Sequence, residues 1–277
     1  MLESLDSVNE EGGRGVNAGM GRGGRGKVKK LYWRVFADLY SRVGGSIDVV
    51  MTNSSWTQAH IQTLWGPYRR ARSKHSISSS SHGNGKEGGS QDTNTDISVV
   101  FPPVAVEELE DAIEVSPASE GKRNPHLLYI AQFRPEKNHT LIVTAFAQYI
   151  SSLPSSSTTT STTRPKLVLV GSVRDSDDAT RVYKLRLLAH ELQIKNDVEF
   201  VCDASWEQVL ERLRTSSVGV NGMWNEHFGI GVVEYQAAGL VSVVNDSGGP
   251  RGDIVVEVEG GATGMIFFFH SAILWML

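Results

Sequence analysis

From residue 126 onward the chain alternates short apolar runs with longer amphipathic stretches, and few folds accept that order. The runs "HLLYIAQ", "KLVLVGS", "VEFVCD", "VGVNG" and "VSVVND" are rich in Val, Ile and Leu at successive positions. Strands of that composition are covered on both faces, which is the mark of a parallel sheet. Between them "KNHTLIVTAFAQYI", "DATRVYKLRLLAHELQI", "SWEQVLERLRTS" and "IGVVEYQAAGL" read as helices. Repeated β-α-β units predict an α/β domain, a doubly wound parallel sheet of Rossmann type, over residues 122–264.

The rest of the chain is read around that domain. "IDVVMTN" (47–53) reads as a buried strand. Asn53, Ser54 and Ser55 form an N-cap cluster for a helix expected to run through Trp65. "VVFPPV" (99–104) is a linker whose prolines prevent helix. Residues 31–104 are therefore expected to be a remnant of a second, N-terminal domain. Two low-complexity inserts, 73–96 and 151–165, lack the apolar residues for a core and are expected as mobile surface loops. Residues 1–30 are rich in Gly, Arg and Glu, lack the apolar core of a secretory signal, and read as a disordered leader. Residues 265–277, "MIFFFHSAILWML", are apolar but too short to cross a bilayer. They are expected to be an aberrant tail, with the natural sequence diverging near Gly264.

Composition excludes some classes of function. The formal net charge is −4 and charged residues make up 21 %, so bulk electrostatics does not favour nucleic acid as a partner. The single cysteine, Cys202, excludes an intramolecular disulfide framework and fits a reducing compartment. Asp246-Ser247-Gly248-Gly249-Pro250 spells the pentapeptide around the nucleophile of chymotrypsin-like proteases. A parallel α/β sheet is incompatible with the antiparallel barrels of those enzymes, so Ser247 is expected in a glycine turn rather than as a nucleophile.

In a doubly wound sheet the ligand sits beyond the carboxyl ends of the strands. The loop and helix "NGMWNEHFGIGVVEYQAAG" (221–239) are the most informative there. Phe228-Gly229-Ile230-Gly231 opens a helix whose free N–H groups and dipole suit a phosphate or sugar hydroxyls. Glu226 precedes it and Glu234 follows eight residues after Glu226. Spacing alone leaves two readings open: both carboxylates face one elongated ligand, or Glu226 caps the helix and Glu234 is a solvated charge. Asp175-Ser176-Asp177 has the spacing of a metal motif but reads as a cap for the next helix, and no metal is expected. His190 lacks the second histidine of a zinc helix.

"NEHFGIGVVEYQAAG" resembles the E-x7-E signature of the retaining GT-B glycosyltransferases of family 4. "VVMTNSSWTQAHI", "FPPV", "AQFRPEKNHTLIV", "GSVRDSDDATRVYKLRLLAHELQIKNDVEF" and "NDSGGPRGDIVV" extend the resemblance over residues 30–264, interrupted by the two inserts. Within that family the chain is most similar to the branch that uses GDP-mannose on dolichol-linked oligosaccharide. The resemblance implies a GT-B fold with the donor-binding half at 122–264. It implies transfer of mannose with retention to form α-1,2 linkages, without cofactor, in N-glycan precursor assembly. A nucleotide-sugar donor, a lipid-linked acceptor, membrane association and the cytosolic face of the endoplasmic reticulum follow from it. Alternatives are a family member using a UDP-sugar, or a truncated nucleotide-sugar-binding fragment without activity.

The same resemblance assigns roles. Glu226 would hold the hydroxyls of the donor sugar, with neighbouring contacts from His227, Phe228, Gly229 and Ile230. Glu234 would bind the ribose, and Lys137 would neutralise the pyrophosphate as the sugar–phosphate bond breaks. The family's arginine falls near Gln132 or Phe133 when aligned on Pro135-Glu136-Lys137, which leaves Arg134 offset from it. Gly171, ending a strand, resembles another donor-site turn. The acceptor-side loops and anchor of the family are expected to be missing from this polypeptide, with donor binding weak or absent and no activity of its own.

Overall fold

Strands with apolar residues at consecutive positions need a cover on each face, and the structure supplies both. A computed structural model describes residues 24–79, 97–153 and 164–267. The chain forms two compact units, one of residues 1–51 with 59–98 and the other of residues 52–58 with 99–277.

In chain order the first elements are α1 (Gly24–Gly45), β1 (Val50–Thr52), α2 (Ser55–Ser79), β2 (Ile97–Val99), α3 (Val106–Ala112) and α4 (Pro117–Glu120). Then come β3 (Asn124–Ile130), a 3-10 turn at Pro135–Lys137, α5 (His139–Ser152), β4 (Lys166–Gly171) and α6 (Ser176–Glu191). They are followed by β5 (Val198–Cys202), α7 (Trp206–Thr215), β6 (Ser216–Asn221), α8 (Ile230–Ala237) and β7 (Val241–Asn245). A π-helical turn (Pro250–Ile254), the hairpin of β8 (Glu257–Val258) and β9 (Gly261–Ala262), and β10 (Gly264–Phe267) complete the described chain.

In the first unit α1 and α2 approach closely near Gly44 and Gly45. A Cβ on Gly44 would collide with the Trp65 ring and one on Gly45 with Tyr68, under 3.0 Å in both cases. Arg69, 3 % exposed, donates to the carbonyls of Ile47 and Asp48.

The second unit carries a six-stranded sheet in the order β10-β7-β6-β3-β4-β5. Every neighbouring pair is parallel. Side chains alternate across a strand, so β3 and β4 feed two cores. Leu127, Tyr129, Leu167 and Leu169 join α5 and α6 residues such as Phe146 and Leu185 on one face. Leu128, Val168 and Val170 meet Leu109 of α3, Leu213 of α7 and Tyr235 of α8 on the other. Each fully buried Leu or Phe contributes about 1.5–3 kcal/mol of transfer free energy, so the two clusters carry the fold.

The sheet also positions the site. Strands β3 and β6 stay in register at Leu127↔Val218 and Leu128↔Gly219, while β3 remains paired with β4 to Ile130↔Val170. Beyond Leu128 the gap between β3 and β6 holds the Tyr235 hydroxyl. It accepts from Ile130 N–H at 2.7 Å and donates to the Val220 carbonyl at 3.4 Å. The chain runs outward from this seam in both directions, which makes it the point where strand order reverses and where such sheets open a crevice.

Several expectations are corrected. The helix expected to end at Trp65 runs to Ser79, through Pro67. Gly24–Lys30 are the first turns of α1 rather than leader, while residues 1–23 lie outside the described residues. Residues 73–79 of the first insert continue α2, and 80–96 and 154–163 lie outside the described residues. Met265–Phe267, expected in the aberrant tail, pair with Val243–Asn245 as the outermost parallel strand. Residues 268–277 lie outside the described residues.

Candidate active site

At the reversal point a cavity of ≈ 380 Å³ opens beyond the ends of β3 and β6. Tyr129, Ile130 and Ala131 line it from β3 and the loop after it, and Asn221 from the end of β6. Lys137, Glu226, His227, Phe228, Gly229 and Ile230, all singled out from the sequence, line it as well. Arg134, Gly171 and Glu234 are not among its lining residues.

Lys137 ends the 3-10 turn, whose Pro135 and left-handed Asn138 (φ 53°) bring the chain sharply from β3 into α5. The Tyr129 hydroxyl donates to the Lys137 carbonyl at 2.5 Å and pins the turn to the strand. Burial holds that phenol well above its ordinary pKa, so it remains a donor. Lys137 Nζ reaches Glu226 Oε2 at 2.5 Å and Met223 Sδ at 3.2 Å. Side-chain exposures of 23 % and 16 % leave this ion pair poorly screened but open to a ligand.

The loop that carries Glu226 is held from behind by the glycine turn after β7. Ser247 Oγ accepts from Asn225 N–H at 2.8 Å and donates to Asn245 Oδ1 at 2.7 Å. Gly249 N–H donates to the Glu226 carbonyl at 2.8 Å. Gly248 is left-handed, φ +73°, and a Cβ there would lie 2.9 Å from Glu226 N and closer still to its carbonyl oxygen. Ser247 is thus engaged on both sides as a loop support. The protease-like pentapeptide brings two chain segments into backbone contact, which its glycines allow.

Gly229, at φ +107°, starts α8 with no side-chain cap. Ile230 and Gly231, the first residues of α8, line the cavity, and a helix start of this kind suits an anion. One turn in, Glu234 Oε2 lies 3.9 Å from the Cβ position of Gly231. Burial raises the Glu234 carboxyl above its ordinary value.

Gly171 backs onto the β3 exit, where a Cβ would collide with the Ala131 carbonyl; it shapes the wall from behind. Arg134 is 3.8 Å from Glu136 and 38 % exposed, with its Nε buried and unpaired among the described residues. Phe133, one of the two positions aligned with the family's arginine, is fully buried and stacks on His139 at 4.9 Å. Asp175 caps α6, accepting from the N–H groups of Asp177 and Asp178. Asn53, Pro102, Tyr129, Asn221 and Tyr235 line the cavity and were not singled out as site residues. The signal for Tyr129 and Asn221 was their place at the carboxyl ends of strands.

Residues 99–273 match the family described as "Glycosyl transferases group 1". Residues 1–65 match "ALG11 mannosyltransferase N-terminus". A Neurospora crassa protein named GDP-Man:Man(3)GlcNAc(2)-PP-Dol alpha-1,2-mannosyltransferase is 61 % identical over 98 % of this chain and 45 % of its own length. The Homo sapiens protein of the same name is 40 % identical over 87 % of this chain and 42 % of its own. The chain thus spans less than half the length of these relatives. Among solved structures, a sucrose-phosphate synthase from Thermosynechococcus elongatus gives a TM-score of 0.55 at 18 % identity, covering 84 % of this chain and 48 % of that one. An alpha,alpha-trehalose 6-phosphate synthase from Burkholderia multivorans gives 0.57 at 14 %, covering 86 % and 51 %. At those identities the likeness concerns the fold, which is GT-B-like α/β.

Proposed function

The chain belongs to the group 1 glycosyl transferases, and from that premise we propose that its cavity binds GDP-mannose as the donor for α-1,2 transfer to a dolichol-linked oligosaccharide. The observation that carries this reading is the Lys137–Glu226 pair, set opposite the uncapped start of α8 at the point of strand reversal. An arriving diphosphate offers Lys137 a doubly charged partner in place of the Glu226 carboxylate. Lys137 and the α8 N–H groups then hold the phosphates, and the freed Glu226 accepts hydrogen bonds from mannose hydroxyls. As the glycosidic bond to phosphate breaks, the charge on the departing GDP grows between a cation and a helix N-terminus already in place. Glu234, half-buried and without a side-chain partner among the described residues, accepts from the ribose hydroxyls. The step needs no metal in this reading, and the configuration at the anomeric carbon is retained.

The relatives' shared name supports mannose as the sugar and Man(3)GlcNAc(2)-PP-Dol as the acceptor. With that acceptor, the reaction takes place at the cytosolic face of the endoplasmic reticulum membrane. No helix among the described residues is long and apolar enough to cross a membrane. The test is incubation of the chain, completed to the length of its relatives, with labelled GDP-mannose and Man(3)GlcNAc(2)-PP-Dol. An α-1,2-mannosidase-sensitive product, lost in Glu226→Ala, is expected. Transfer from UDP-glucose in place of GDP-mannose, or activity unchanged in Glu226→Ala, would overturn the reading.

A further inference from the structure

Beside the cavity a side chain stands in for one rung of the sheet. Strands β3 and β6 pair at Leu127↔Val218 and Leu128↔Gly219. Carried on by two residues, that register would set Ile130 against Asn221, and a parallel rung would run from Ile130 N–H to the Val220 carbonyl. Those two groups bond instead to the Tyr235 hydroxyl, which accepts from Ile130 N–H at 2.7 Å and donates to the Val220 carbonyl at 3.4 Å. Two bonds in series replace a single one of about 2.9 Å, so the strand ends are held further apart than a ladder allows. The ring that delivers the hydroxyl is 1 % exposed and lies against Gly219, where a Cβ would collide with it.

Each spread end carries one half of the charged pair. At the end of β3, the Tyr129 hydroxyl holds the Lys137 carbonyl, and with it the turn that presents Lys137. At the end of β6, Asn221 Oδ1 accepts from Met223 N–H at 3.0 Å and starts the loop to Glu226. A third wall is the start of α8, the helix to which Tyr235 itself belongs. We infer that Tyr235 is a positioning residue for the donor site, its hydroxyl fixing the spacing of β3 and β6 and hence where Lys137 and Glu226 stand. The inference rests on the reading of the cavity as a nucleotide-sugar site. A phenylalanine could not do this, because buried backbone N–H and C=O groups left without partners would draw the strands together to form the rung.

Tyr235→Phe tests this beside Leu213→Ala, which empties part of the same core without touching the cavity lining. Loss of the hydroxyl is expected to close the rung, with Ile130 N about 3 Å from the Val220 oxygen in a crystal structure of the variant. In calorimetric titrations with GDP and GDP-mannose, Tyr235→Phe is expected to bind both about ten- to a hundredfold more weakly, the effect of moving a site by about 1 Å. Leu213→Ala is expected to lose stability in urea yet keep wild-type affinity. A purely stabilising role for Tyr235 would likewise leave the affinity of the folded variant untouched. Replacement of Tyr235 by 4-aminophenylalanine, which keeps a hydrogen-bonding group in the seam, is expected to recover most of the affinity. Strand ends or affinity unchanged in Tyr235→Phe, or an equal loss of affinity in Leu213→Ala, overturns the inference and leaves the reading of the site standing. Failure of the wild-type chain to bind either ligand overturns that reading, while the crystal structure of Tyr235→Phe still decides whether the hydroxyl spaces the strands.

Discussion

Gly248→Ala tests how the glycine turn supports the site, because Gly248 is held by two separable constraints. Its φ of +73° costs an L-residue about 1–2 kcal/mol. The added Cβ would lie 2.9 Å from Glu226 N and nearer to its carbonyl oxygen, which is backbone and cannot rotate away. Forced overpacking of that kind costs about 1–3 kcal/mol. Alanine also stiffens the unfolded chain, returning about 0.4–1 kcal/mol. The net expectation is a loss of about 2–4 kcal/mol, or roughly 4–16 °C in Tm for a domain of this size. Gly260 isolates the first constraint, with φ +81° and nothing within 4 Å of a Cβ. Gly260→Ala is therefore expected to cost only about 0–1.5 kcal/mol. Urea denaturation of both variants measures the difference, and titration with GDP-mannose measures its consequence. Relief of the collision moves Glu226, so Gly248→Ala is expected to lose donor affinity while Gly260→Ala keeps it. Equal stability of the two variants with unchanged affinity would refute the claim that this turn sets the Glu226 loop.

Ser247→Ala leaves Asn225 N–H without its acceptor and is expected to cost about 1–2 kcal/mol by denaturant titration. A fluorophosphonate probe is expected to label neither wild type nor the variant; labelling of Ser247 would restore the protease reading. His139 is buried between Tyr129 and Phe133, and burial lowers it from 6.5 to about 4. Its contribution to stability is present above pH 6.5 and lost as pH falls toward 4, about 3 kcal/mol in all. Chemical denaturation across that window should show the loss in wild type and a flatter profile in His139→Leu; parallel profiles would contradict it. Glu234 is raised, so its neutral form suits the fold, and the stability it lends below the ordinary 4.5 is lost as pH rises through the raised value. Glu234→Gln is accordingly expected to be more stable than wild type at pH 7, with the gap closing below pH 4.5, and to bind GDP-mannose less well. A gap that persists in acid would contradict the assignment.

The alternating pattern made the parallel sheet legible because a strand covered on both faces has no polar side, and β3 through β7 all carry that signature. The cap of α6 was equally legible. Asp175 accepts from the N–H groups of Asp177 and Asp178, whereas Ser205, read as the first residue of its helix, is the N-cap of α7. Short elements were not. The seven residues of α3 hold too few turns to show a period, yet Leu109 is fully buried in the second core. Strand β10 was lost in an apolar tail that had no polar alternation to mark its ends. The site was legible where a residue type announces its chemistry, as with Lys137 and Glu226. Tyr235 read as one more apolar position on a helix. Its hydroxyl in fact bridges β3 and β6, over Gly219, where a Cβ would collide with the ring. Asn53 read only as part of an N-cap cluster with Ser54 and Ser55, because Lys137 and Glu226 on the same cavity lie 84 and 173 residues away in sequence. In the structure Ser54, not Asn53, accepts from the first turn of α2, at 3.0 Å from Thr57 N–H.

A crystal structure of the chain bound to GDP-mannose tests the central claim most directly. The account predicts the diphosphate about 3 Å from Lys137 Nζ and from the first N–H groups of α8, with the Lys137–Glu226 pair opened and the Glu226 carboxylate on mannose hydroxyls. A nucleotide sugar bound elsewhere, or one bound with the Lys137–Glu226 pair intact, would contradict it.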